Sequence, residues 1–99
     1  MAIDGTYKVD VTTVMGTEHI EFTFKTEGNS VGGTIDGLFG FQSFAGGTID
    51  GNDVLISTII EAPVGQMELN IGATIEGDKI TGQIQLGSFR PSVFEGSRV

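Results

Sequence analysis

At 99 residues the chain has room for one hydrophobic core, and with 38% hydrophobic residues and a mean hydropathy of +0.14 it is too apolar to stay disordered. Thirteen acidic against five basic residues give a net charge of -8, which repels a phosphate backbone and disfavours anionic lipid, so no nucleic acid partner is expected. The absence of cysteine excludes disulfides, thiolate nucleophiles and cysteine-ligated metals.

The opening residues MAIDGTYKVD carry neither the basic nor the apolar region of a secretory leader, and no apolar run approaches the roughly 20 residues of a membrane helix. The expectation is a cytoplasmic chain with no membrane partner. From Tyr7 onward the pattern has period two. Tyr7, Val9 and Val11 alternate with Lys8 and Asp10, and Ile20, Phe22 and Phe24 with Glu21 and Thr23. Met67, Leu69, Ile71, Ala73 and Ile75 alternate with polar residues or glycine, and Ile80, Gly82, Ile84 and Leu86 do the same before the last strand. Seven turn signals interrupt the pattern, at Met15-Gly16, Gly28-Asn29, Leu38-Phe39-Gly40, Gly51-Asn52, Pro63-Val64-Gly65, Gly77-Asp78 and Gly87-Ser88. Seven turns make eight strands.

The two halves of the chain resemble one another at an offset of 49 residues. Glu27-Gly-Asn-Ser-Val31 aligns with Glu76-Gly-Asp-Lys-Ile80, Gly33 with Gly82, Ile35 with Ile84, and Gly47-Thr48 with Gly96-Ser97. A duplicated four-strand meander follows, roughly residues 1–48 and 49–99 within one domain. Eight antiparallel strands with one apolar face bury it most simply by closing into an all-β up-and-down barrel, with a two-sheet sandwich as the alternative. Gly33, Gly47, Gly82 and Gly96 share the parity of the apolar residues. They mark either bends in a tight barrel or space left for an internal cavity.

In such a meander the odd turns emerge at one end and the even turns, with both termini, at the other. The even turns are short and acidic. The odd turns carry Val14-Met15, Leu38-Phe39-Gly-Phe41, Pro63-Val64 and Phe89-Arg90-Pro91, an apolar group where loop tips are normally polar. Three readings are open: loops that fold in and plug the barrel, an oligomer or docking surface, or the mouth of a pocket for a small apolar ligand lined by Met15, His19, Phe39, Phe41, Val64, Met67 and Phe89. In the fourth and fifth strands, Phe44, Leu55 and Ile59 oppose Ala45, Val54, Ile56 and Ile60, so one apolar set must face outward. An outward Phe44, Leu55 and Ile59 would make a homo-oligomer interface.

His19, the sole histidine, is a possible general base, yet no second histidine or carboxylate cluster accompanies it, and no metal or other cofactor is expected. Asp50-Gly-Asn-Asp53 lacks the remaining ligands of a calcium loop and reads as a hairpin turn. No nucleophile elbow or phosphate loop is present, so no catalytic residue is assigned. A minimal isomerase or cyclase built on Tyr7, His19 and Arg98 is the enzymatic alternative. Arg98 has the parity of Phe94 and takes the repeat position of Ile49, which turns it inward near the closed end. Barrel closure would bring it beside Tyr7 as a cation-π pair worth roughly 0.5–2 kcal/mol.

Gly5-Thr6-Tyr7 on the first strand with an arginine on the last resembles the calycin superfamily of lipocalins, fatty-acid-binding proteins and avidins, in which Gly-x-Trp near the start packs under a basic residue of the final strand. Tyr7 replaces that tryptophan. The resemblance implies a barrel closed by Tyr7 and Arg98 and, where a ligand is bound, an apolar one. Gly-Thr-Ile-Asp-Gly, at residues 33–37 and 47–51, is also similar to small uncharacterised bacterial barrel domains, a likeness that implies no activity. The expected function is a non-enzymatic module that binds a small apolar ligand or a protein partner through its apolar end.

Overall fold

A computed structural model describes residues 3–13, 16–37, 40–63 and 65–99. Alternation and turn residues together produce eight strands: β1 (Gly5–Thr13), β2 (Gly16–Glu27), β3 (Ser30–Asp36), β4 (Phe41–Asp50), β5 (Asp53–Ala62), β6 (Gly65–Glu76), β7 (Lys79–Leu86) and β8 (Ser92–Arg98). Each pairs antiparallel with its successor, and β8 returns to β1 through the register Tyr7↔Arg98 to Thr12↔Val93, closing an up-and-down barrel. The sandwich alternative is thereby excluded, and no helix occurs among the described residues.

The barrel is filled. Its apolar side chains form one continuous buried cluster, aromatic where β1, β2, β4 and β8 meet and aliphatic along β5 to β7. Phe22 lies at the centre of the aromatic part, with ring centroids 5.6 Å from Phe24 and 5.4 Å from Phe94, and Phe24 lies 5.6 Å from Tyr7 and 6.1 Å from Phe44. Such offset and edge-on pairs add about 0.5–1.5 kcal/mol beyond area burial.

The inward glycines let strands approach one another; they do not hold space open. A Cβ on Gly82 would lie 2.1 Å from the Gly72 carbonyl oxygen, one on Gly96 2.1 Å from that of Lys8, and one on Gly33 1.7 Å from that of Thr23. These are backbone atoms of the adjacent strand, and they cannot step aside as a side chain can.

Phe44 is corrected by this structure. It is buried, packed edge-on against Phe24, and not on an outer face. The register between β3 and β4 runs Gly33↔Phe44 and then Val31↔Gly47, so a bulge at Ala45 and Gly46 flips the parity within β4. Gly46 takes φ 76, the left-handed conformation that a bulge places on glycine at little cost. Beyond the bulge β4 pairs with β5 only from Thr48↔Leu55 to Asp50↔Asp53, and nearer the other end Gln42 Nε2 donates to the Glu61 carbonyl at 3.2 Å.

At the end that holds the termini, the segment before β1 closes the barrel floor. Ile3 is buried, and its carbonyl accepts from the Tyr7 hydroxyl at 3.0 Å. Arg98 donates from Nη2 to that hydroxyl at 2.8 Å and from Nη1 to the Asp4 carbonyl at 3.3 Å, with its guanidinium carbon 5.2 Å from the Tyr7 ring centroid. One oxygen of Asp4 accepts from both the amide and the hydroxyl of Thr26, at 3.1 and 2.6 Å, and the hydroxyl bond holds the carboxyl below the ordinary carboxylate range.

Burial raises the Tyr7 pKa above its ordinary value of about 10, against the opposing pull of the Arg98 guanidinium. The neutral phenol is therefore favoured in the folded state. Its contribution is complete below about pH 10, the unfolded value, and is lost as pH rises through the folded value. Tyr7 is the sole tyrosine. Tyrosinate absorbance in an alkaline titration should accordingly rise together with unfolding seen by circular dichroism, above pH 10 or so. Absorbance rising on a fully folded protein at lower pH would contradict the burial argument.

Candidate functional site

At the opposite end, the inward positions of the strands that flank the first and last odd turns form a cleft of about 420 Å³, lined by Val11, Thr13, Glu18, Ile20, Gly37, Ile84, Leu86, Phe89 and Ser92. Each strand brings a residue of inward parity close to the mouth: Val11 and Thr13 end β1, Glu18 and Ile20 begin β2, Ile84 and Leu86 end β7, and Ser92 begins β8. Because the aromatic and aliphatic core fills the barrel below, the cleft is a mouth pocket and not a deep calyx.

Backbone contacts hold the rim. Phe89 lies on the β7–β8 connection, where its amide donates to the Leu86 carbonyl at 3.1 Å and its carbonyl accepts from Gln85 Nε2 at 3.0 Å. The neighbouring Gly87 amide donates to the Glu68 carbonyl at 2.7 Å, which ties this connection to β6. The Thr13 hydroxyl donates to the Gly16 carbonyl at 2.9 Å across the β1–β2 turn. The Phe89 side chain remains 64% exposed on this fixed support. A large apolar ring beside an apolar cleft, with its backbone held, is an arrangement that an apolar group can cover.

Of the seven residues expected at a ligand mouth, Phe89 lines the cleft. Met15, Phe39 and Val64 lie outside the described residues. Met67 is half-buried on the inner side of β6, and its Cε lies 3.0 Å from where a Cβ on Gly87 would stand. Phe41 is exposed at the start of β4 and is not among the residues lining the cleft. His19 points away from it: it has the parity opposite to Ile20, its side chain is 81% exposed on the outer wall, and Nδ1 lies 2.6 Å from Asp10 Oδ1 on β1. The alternation that buries Ile20, Phe22 and Phe24 is the physical reason, and it removes His19 from any interior chemistry. Val11, Ile20, Ile84 and Leu86 went unassigned in the sequence because they read as ordinary core positions. Their signal was place: each is an inward residue at or near the odd-turn end of its strand.

The remaining candidates also have places. Leu55 and Ile59 face outward on β5, 65% and 57% exposed, while Tyr7 and Arg98 meet at the closed end as described. The Asp50–Asp53 segment is a hairpin turn in which Asp53 Oδ1 accepts from the Thr74 hydroxyl at 2.8 Å. Among the described residues no group of three or more histidine and carboxylate side chains could hold a metal.

No protein-family model matches the chain, and no curated protein does. Among solved structures it is similar to a chain from Bacteroides fragilis described as a "putative outer membrane protein", with a TM-score of 0.59 at 13% identity. The match covers 98% of this chain and 51% of that one, so this chain spans about half the length of its neighbour. At that identity the likeness establishes the shared fold. The neighbour's description nevertheless overturns the expectation of a cytoplasmic chain with no membrane partner. That expectation rested on an opening unlike a secretory leader and on the lack of a long apolar run, and the second is no test of a barrel. Along β1, β2, β6 and β7 the apolar residues face inward and polar residues or glycine face outward, the inverse of the apolar outer band of a lipid-spanning barrel.

Proposed function

We propose that this barrel is a non-enzymatic binding module that takes an apolar group at its mouth. The observation carrying this reading is the apolar cleft of about 420 Å³ beside the exposed Phe89, at the end away from the termini. Its volume lies within the range of roughly 300–1,000 Å³ common to small-molecule sites. A calycin-like ligand enclosed within the barrel fits less well, because the interior is occupied by side chains.

Glu18 sharpens the ligand class. Among the described residues it is the one charged residue lining the cleft, and the chain as a whole carries -8, so a carboxylate head group meets repulsion while a neutral or amine-bearing head group does not. The module is therefore read as a binder of apolar compounds other than fatty-acid anions. The test is uptake of a neutral hydrophobic fluorescent probe, followed by competition with a long-chain amine and with the matching carboxylate. One probe should bind per chain, the amine should compete at least tenfold better than the carboxylate, and Glu18→Gln should narrow that gap. Phe89→Asp should weaken probe uptake at least tenfold with the fold intact. Equal competition by both head groups would refute the role of Glu18, and undiminished uptake by Phe89→Asp would refute the site.

A further inference from the structure

The ladder between β4 and β5 stops early. It runs from Asp50↔Asp53 to Thr48↔Leu55 and ends at the bulge in β4, although both strands continue toward the odd turns. Among the described residues, 41–47 then pair only with β3 and 56–62 only with β6. The alternation of an extended backbone shows which groups are left at this seam. The Asn52 carbonyl accepts from the Ile75 amide of β6 at 2.9 Å, so along β5 the groups of Ser57, Ile59 and Glu61 turn the other way, toward β4. The Glu61 carbonyl agrees with that parity. It accepts from Gln42 Nε2 at 3.2 Å, a side-chain amide standing where a ladder would place a backbone N–H. On β4 the Ile49 amide donates to the Asn29 carbonyl at 3.1 Å, which with the register to β3 turns the backbone groups of Phe41, Ser43 and Ala45 toward β5. All six residues are exposed, while Phe44, Ile56 and Ile60 seal the seam from within. Where the ladder ends a depression of about 520 Å³ opens, with Gly46, Thr48, Leu55 and Ser57 in its lining.

We infer that this seam binds an extended, positively charged peptide segment, which pairs its backbone with the open edges of β4 and β5. Two observations select that occupant. A row of N–H and C=O groups along a strand edge is matched by another extended backbone, which is the chemistry of strand addition. Charge sets the sign. Glu61 stands on the seam, Glu68 is paired with Ile59 and Asp36 with Phe41, and Asp50 faces Asp53 at the closed end of the ladder. None of the five lysine and arginine residues lies on β3 to β6. A second copy of the chain, at net charge -8, is repelled by the same carboxylates that attract a cationic segment. Outward lysines of the segment lay their stems on Phe41 and Ile59 and bring their ammonium groups to these carboxylates. Entry releases the bond from Gln42 to Glu61, so the Gln42 amide serves as the latch of the seam. The mouth cleft is built mainly from β1, β2, β7 and β8, so the inference does not rest on the proposed ligand site.

The probe is a short fluorescent peptide of alternating lysine and valine, followed by anisotropy and by amide hydrogen exchange of the intact protein. It should bind saturably, one per chain, and slow exchange of the Ser43, Ser57 and Ile59 amides at least tenfold. The same peptide with alternate amides N-methylated keeps its charge and side chains but loses backbone donors, and should bind at least tenfold more weakly. A glutamate–valine peptide should not bind. On the protein, Glu61→Gln combined with Glu68→Gln should weaken binding at least fivefold; both side chains are exposed, so the circular dichroism spectrum should not change. No saturable binding of the lysine–valine peptide overturns the inference. So does equal binding of the N-methylated peptide, which would mean attraction by charge without strand pairing. Seam amides that become protected on raising the protein concentration, with no peptide added, would show a second copy in the seam and overturn it as well.

Discussion

Gly82→Ala destabilises the barrel by about 3 kcal/mol or more, at or beyond the upper end of ordinary overpacking. The new methyl carbon would lie 2.1 Å from the Gly72 carbonyl oxygen and 2.8 Å from the Ala73 Cα, both on the paired strand β6, so relief requires that β6 and β7 separate and weaken their ladder. Gly96→Ala should behave alike for the same reason at the closing pair of strands, where the carbon would meet the Lys8 carbonyl oxygen at 2.1 Å and the Val9 Cα at 2.6 Å. Gly72→Ala is the informative control. Its nearest neighbour is a methyl group at ordinary contact distance, and replacing a strand glycine by alanine recovers roughly 0.5–1 kcal/mol. Urea unfolding midpoints should therefore fall steeply for Gly82→Ala and Gly96→Ala and hold or rise for Gly72→Ala. Equal midpoints across the three would mean that the strands do not approach as closely as described.

The second large effect is expected at Phe22. Its side chain is fully buried, in ring contact with both Phe24 and Phe94, and so bridges β2 to β8 across the barrel interior. Phe22→Ala should cost about 3–5 kcal/mol, because the ring's transfer energy is lost and neighbours held in a closed barrel can collapse only partly into the space. For a small domain stabilised by about 5–15 kcal/mol this is a large share of the total. Chemical denaturation should show a much lower midpoint with an unchanged slope. A loss below 1 kcal/mol or so would indicate a looser core than these ring contacts describe.

The path from sequence to fold was short where one strand face is simple. The alternation in β1, β2, β6 and β7 decides which residues face inward, since a shift of one residue would expose Tyr7, Phe22, Leu69 and Ile80 together. In β4 that rule is interrupted: Phe44 and Gly47 both face inward across the Ala45–Gly46 bulge, and a period-two reading carried through the strand assigns Phe44 to the wrong face. Nothing in Phe-Ala-Gly-Gly states where the extra residue falls, because a bulge depends on the register with β3. The candidate site was legible only in part. Phe89 could be placed by the odd turn that carries it, and the exclusion of His19 was implicit in the parity of Ile20. The lining by Val11, Ile20, Ile84 and Leu86 required knowing how far the core fills the barrel.

By itself, the sequence determined the class and count of the elements, because turn residues and alternation act over a few neighbouring positions and need no distant partner. It also determined that Leu55 and Ile59 oppose Val54, Ile56 and Ile60 on β5, and that an arginine stands on the inward parity of the last strand. The tertiary structure alone decided that Gly33, Gly82 and Gly96 are points of contact between backbones and not the walls of a cavity. It alone decided that Arg98, expected beside Tyr7, also reaches the carbonyls of Asp4 before β1 and Gly77 in the β6–β7 turn. The physical reason is the same for both: a missing side chain and a half-buried guanidinium each take their meaning from atoms elsewhere in the barrel, and its closure sets those distances.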